Sequence, residues 1–168
     1  MKAILISIQP KWCELIADGR KTIEVRKTRP KIETPFKCYI YCTKNKTIAD
    51  EYWGNRNGHI YIDNGKVIGE FVCDRVRLCI PFGLKGHLLS QEVYREMCLT
   101  KEQLDKYGGL KTLYGWHISD LKIYDKPKEL GEFGNYKTEW IQWYHSDDKV
   151  FYPLTRPPQS WCYVEQLE

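Results

Sequence analysis

At 168 residues, 42% of them hydrophobic, the chain has the length and core material of one domain, expected over residues 1–168, and no apolar run approaches the roughly 20 residues of a membrane helix. Seven cysteines without a CxxC pair, and no secretory segment after Met1, point away from a disulfide framework and from export, so a cytoplasmic protein with no metal and no cofactor is expected. The formal charge of +4 is uneven: Met1 to Ile48 carries 11 Lys or Arg against 4 Asp or Glu, the remainder 15 against 18, which suggests an anionic partner such as nucleic acid and no membrane.

In chain order, the β-branched run Ala3 to Ile8 reads as a buried strand. Pro10 suits a first helical position, and Trp12, Leu15, Ile16 and Gly19 follow at helical spacing, with the glycine able to close the helix in the left-handed conformation. The period then changes to two. Ile23 and Val25 share one face of a strand, Thr22, Glu24 and Arg26 the other. Phe36 to Cys42 is a further strand, and His59 to Asp63 with Lys66 to Ile80 reads as a hairpin closed by Asn64-Gly65. Ser90 to Cys98 and Lys101 to Tyr107 form short helices, the second capped by Thr100 and stopped by Gly108-Gly109. Leu113 to Ile118, Leu121 to Tyr124 and Ser160 to Val164 return to strand, while the aromatic tract Phe133 to Tyr152 reads as a long loop or short helix. Six or so short strands with few helices predict an α+β, mostly β chain built as a partly closed barrel, with a strand–helix–strand opening and short peripheral helices.

The segment Gly19 to Arg26 has the form GxKxxExR at the corner between the first helix and second strand. Lys21 leaves the turn near a helix C-terminus, where a cation is favoured by roughly 0.3–1 kcal/mol. Glu24 and Arg26 lie about 7 Å apart on one strand face, where a guanidinium fork and a carboxylate can orient each other or a shared ligand. An ion-paired face without a ligand is the alternative. Together with Ser7-Ile8-Gln9-Pro10-Lys11-Trp12, Val67-Ile68-Gly69-Glu70-Phe71, Trp116-His117-Ile118 and Pro157-Pro158-Gln159-Ser160-Trp161, this segment resembles the ASCH family of the PUA-like superfold. The resemblance spans Ala3 to Val164 and implies a β-barrel with a cleft beside the first helix, lined by the GxKxxExR residues. It also implies binding of RNA or nucleosides and, in some small members, hydrolysis of the acyl amide of acetylated cytidine.

Two functions follow. The first is a binding module for RNA, another nucleic acid or a modified nucleoside, in which Trp12, Lys21, Glu24, Arg26, Trp116, His117, Arg156 and Ser160 are the candidate contacts. Stacking on an aromatic contributes roughly 1–3 kcal/mol per base, so Trp140, Trp143 and Trp161 join Trp12 and Trp116 as possible platforms, with Trp140 and Trp143 beside Tyr144 and His145 expected to be exposed. The second is an amidohydrolase for an acylated nucleoside. For that activity the resemblance implies a Lys-Thr-Glu set: Lys21 matches its lysine, but Glu24 stands where the threonine would, leaving Thr22 or a water as nucleophile and Glu92 or Glu96 as the glutamate. Glu24 beside Lys21 suits the pair to holding a ligand, although Glu24 could instead activate a water. No phosphate-binding glycine loop, nucleophile elbow or HExxH occurs, which points away from kinases, common serine hydrolases and zincins.

Overall fold

The computed structural model describes residues 1–44, 65–79, 89–109, 111–141 and 144–167. The strand β1 (Lys2–Ile8) runs through the centre and is buried on both faces, which is why its sequence is a continuous apolar run rather than an alternation. Ile4, Ile6 and Ile8 pack on one side with Cys13, Ile16 and Trp116, whereas Ala3 and Leu5 pack on the other with Tyr39, Tyr41 and Phe133.

Parallel to β1 lies β3 (Phe36–Cys42), and antiparallel on its other edge lies β10 (Trp161–Glu165). A parallel neighbour requires a crossover, supplied here by the helix α1 (Pro10–Ala17) and the strand β2 (Ile23–Arg26). With β4 (Val67–Cys73) and β7 (Ser119–Lys128) the sheet has the order β10-β1-β3-β4-β7. A second sheet, of order β2-β6-β5, joins β2 to β6 (Leu113–His117) and β5 (Val76–Cys79). One face of that sheet carries Ile23, Val25 and Leu113 against Val93 and Met97 of α2 (Gln91–Met97) and Leu104 of α3 (Lys101–Gly108). Thr100 is the N-cap of α3, as expected, and it forms a reciprocal capping box with Gln103, while Ser90 caps α2.

Three expectations need correction. The run Lys66 to Ile80, expected as one strand of a hairpin, is broken at Asp74-Arg75 into β4 and β5, which lie in different sheets. The described residues hold ten strands in three separate sheets, and these are not closed into a barrel: β2 pairs with β6 rather than with β1, so the strand–helix–strand opening leaves the first sheet instead of curling it. The aromatic tract is neither loop nor helix. It is an antiparallel hairpin of β8 (Gly134–Ile141) and β9 (Tyr144–Pro153), its cross-strand pair Tyr136 and Phe151 having ring centroids 5.3 Å apart. In β9 the adjacent Asp147, Asp148 and Lys149 interrupt the alternation, whereas in β8 Tyr136, Thr138 and Trp140 alternate with Lys137 and Glu139, and no Asn-Gly or Asp-Gly turn marks the hairpin. The strand expected over His59 to Asp63 lies outside the described residues. No helix among the described residues is long and apolar enough to cross a membrane.

Gly69 shows how tightly the first sheet closes. A Cβ there would sit 2.5 Å from the Lys122 carbonyl oxygen on the neighbouring strand. Gly69→Ala is therefore expected to destabilise the protein by about 1–3 kcal/mol, read from a lower urea midpoint, since backbone cannot swing aside as a side chain can.

Candidate functional site

Gly19 adopts φ +77°, and its N–H bonds to the Ile16 carbonyl at 3.0 Å, so α1 ends where the sequence places its stop. The Lys21 N–H then bonds back to the Leu15 carbonyl at 2.7 Å, and the chain turns directly into β2. As a result Lys21, Glu24 and Arg26 all point inward. They are 3%, 6% and 8% exposed, so the face expected to be ionic is also buried.

Burying three charges is costly unless each is paired and hydrogen-bonded, and here the pairing is nearly complete. The Glu24 carboxylate bridges both cations, with Oε2 3.4 Å from Lys21 Nζ and Oε1 3.0 Å from Arg26 Nη2. Lys21 Nζ also donates to the Met97 carbonyl at 2.7 Å and lies 5.1 Å from the centroid of the Trp12 ring. Arg26 Nη2 donates to the Ser7 carbonyl at 2.7 Å, and Nη1 reaches Ser160 Oγ at 3.5 Å. One donor is left over: Arg26 Nε is buried and has no partner among the described residues.

The Pro157–Ser160 turn is tied to the end of β1 by two bonds. The Ser7 N–H donates to the Ser160 carbonyl at 2.9 Å, and Ser7 Oγ to the Pro158 carbonyl at 2.7 Å. Between this turn, α1, β2 and α3 opens a cavity of about 680 Å³, whose wall includes Trp12, Lys21, Glu24 and Arg26. Its volume falls within the roughly 300–1,000 Å³ usual for small-molecule sites.

The remaining predicted residues are placed as follows. Ser160 touches the triad through Arg26. Arg156 is exposed and does not line the cavity, whereas Pro157, Pro158 and Gln159 after it do. Trp116 is fully buried in the core, edge-on to Phe36 at 5.5 Å and tilted against Trp161 at 5.9 Å. Trp161 Nε1 donates to Thr28 Oγ1 at 3.0 Å. His117 lies off the cavity, its Nδ1 2.6 Å from Asp74 Oδ1. The slight burial of Asp74 would raise its carboxyl, but the bond and charge of His117 prevail and hold it below its ordinary value. Thr22, Glu92 and Glu96 do not line the cavity; Glu92 is exposed on the first turn of α2, and the Glu96 carbonyl accepts from the Thr22 N–H at 2.9 Å. The residues named for hydrolysis thus converge only at Lys21 and Glu24. Trp140, Tyr144 and His145 fall within the hairpin strands, and Trp143 lies outside the described residues. Among the described residues no group of three or more His, Cys, Asp or Glu could hold a metal ion.

Four contributors were not evident from sequence. Lys11 lines the cavity beside Trp12, Gln103 and Tyr107 supply its α3 wall, and the Met97 carbonyl anchors Lys21. Burial pushes the Tyr107 phenol up, so it stays neutral and able to donate. Lys11 could have been found as the basic residue adjoining Trp12 in the first helical turn, but nothing in an amphipathic eight-residue helix marks Tyr107 as a wall residue.

The fold has counterparts among solved structures. The ASCH protein of Zymomonas mobilis superposes with a TM-score of 0.58 at 18% identity, covering 98% of this chain and 88% of that one. A single-substitution variant of it gives 0.60 at 18% identity, covering 99% and 92%. At that identity the likeness concerns the fold, which is consistent with the PUA-like superfold. No curated protein sequence matches significantly. The ASCH domain model matches residues 6–141, from the β1 end that meets Arg26 through the inward-facing triad to the first hairpin strand, and the chain belongs to the ASCH domain family.

Proposed function

We propose that the protein is an RNA-recognition module that receives one nucleotide unit in the cavity at the first helix–strand corner. The observation that carries this reading is the buried Lys21, Glu24 and Arg26 set on the cavity wall, with an unused Arg26 Nε donor and the Trp12 ring beside it. A guanidinium can donate to a base edge or phosphate, a carboxylate can accept from an exocyclic amine, and an indole offers a face for stacking. The lysines and arginines of the amino-terminal third would supply the electrostatic part of the affinity.

The test is equilibrium binding of short single-stranded RNA at increasing salt, in parallel with incubation with acetylated cytidine. The expected result is RNA binding whose log K falls with log salt by about 0.7 per phosphate neutralised, with no acetate released. Arg26→Lys keeps the charge but loses the planar fork, and is expected to weaken binding by about tenfold. Absence of RNA binding, or acetate release that Lys21→Ala abolishes, would overturn the proposal.

A further inference from the structure

We infer that the cavity selects a phosphorylated ligand, a nucleotide in preference to the corresponding nucleoside, with the phosphate held at the rim by the start of α1 and by Lys11 and Lys27. This deepens the reading proposed above and rests on it. The first ground is charge. Among the described residues, the ionisable side chains lining the cavity besides Tyr107 are Lys11, Lys21, Arg26 and Glu24, three cations against one carboxylate. Glu24 already bridges Lys21 and Arg26, so the uncompensated charge is positive and an anion fits it better than a neutral molecule.

The second ground is the position of the free cations. Lys11 Nζ lies 4.5 Å from the Trp12 ring centroid and Lys27 Nζ 4.9 Å from that of Tyr107, and both rings line the cavity. Neither ammonium has a carboxylate or hydrogen-bond partner among the described residues, unlike Lys2, Lys37, Lys66 and Lys128 elsewhere on the surface. Each lysine is positioned over an aromatic face while its charge stays available.

The third ground is the helix itself. Gln9, at the N-cap of α1, makes no side-chain capping bond, no acidic residue occupies the first turn, and Gln9, Lys11 and Trp12 all line the cavity. Pro10 has no N–H, and the Trp12 and Cys13 N–H groups bond the Gln9 carbonyl, so what the helix start offers an anion is the Lys11 N–H and the positive end of the dipole. Deeper in, Arg26 lines the cavity, and its Nε is buried with no hydrogen-bond partner among the described residues. An acyl nucleoside, being neutral, would leave the rim cations and the helix terminus unused.

The experiment is calorimetric titration of the full chain with the four ribonucleosides, their 5′- and 3′-monophosphates and inorganic phosphate. At least one monophosphate is expected to bind about tenfold more tightly than its own nucleoside, the worth of one charge-assisted contact. In the Lys11→Gln, Lys27→Gln double variant, with circular dichroism unchanged, that ratio is expected to fall to about threefold or less as the phosphate loses its partners. Nucleosides and monophosphates binding alike would overturn this inference while leaving RNA recognition standing. Inorganic phosphate binding as tightly as every monophosphate would also overturn it, by making the cavity an anion site without a base. RNA binding with no mononucleotide bound would do the same, whereas failure of RNA and all small probes together would overturn the proposed function itself.

Discussion

Glu24→Ala is expected to cost about 3–5 kcal/mol of folding stability, because it strands two buried cations that share one carboxylate. Lys21 and Arg26 are 3% and 8% exposed, and their remaining partners, the Met97 and Ser7 carbonyls, are dipoles rather than charges. For a chain of this length the loss corresponds to a melting temperature lower by about 10 °C. Glu24→Gln keeps the shape and one acceptor oxygen, so its loss should be smaller but of the same sign. Thermal and urea unfolding of both variants check this. Unchanged stability in Glu24→Ala would mean that the three groups are solvated on an open flank, and the site as described would not exist.

Trp116→Ala is expected to cost about 3–5 kcal/mol through the cavity it leaves. The ring is fully buried, packs edge-on against Phe36 and meets Trp161, and it belongs to the same core as Ile4, Ile6 and Ile8. Its indole Nε1 is buried with no partner among the described residues, so Trp116→Phe removes an orphaned donor while retaining much of the volume and should cost less than about 1.5 kcal/mol. Urea midpoints measured alongside RNA affinity separate the two roles. A stable Trp116→Ala protein that no longer bound RNA would make this tryptophan a ligand platform instead of a core residue.

Much of this was legible along the chain because it depends on near neighbours. Pro10 and Gly19 bound the first helix through backbone conformation alone, and the Thr100 and Gln103 capping box is set by a three-residue spacing. The alternation from Thr22 to Arg26 placed Glu24 and Arg26 on one face, and that relation holds. The hairpin at β8 and β9 was not legible, since adjacent charges interrupt the alternation of β9, no tight-turn pair marks the connection, and its pairing is registered across residues such as Tyr136 and Phe151, fifteen positions apart in sequence.

The sequence by itself determined that a lysine, a carboxylate and a guanidinium would gather at the first helix–strand corner, because turn chemistry and a period of two act within eight residues. Only the tertiary structure decided that this corner would be a cavity wall and not an open flank. The Met97 carbonyl, Ser7, Tyr107 and the Pro157–Ser160 turn come from segments far apart in the chain, and their convergence is imposed by burial of the two-sided β1 strand between its neighbours. Charge placed by local geometry becomes a binding site only when distant backbone removes it from water.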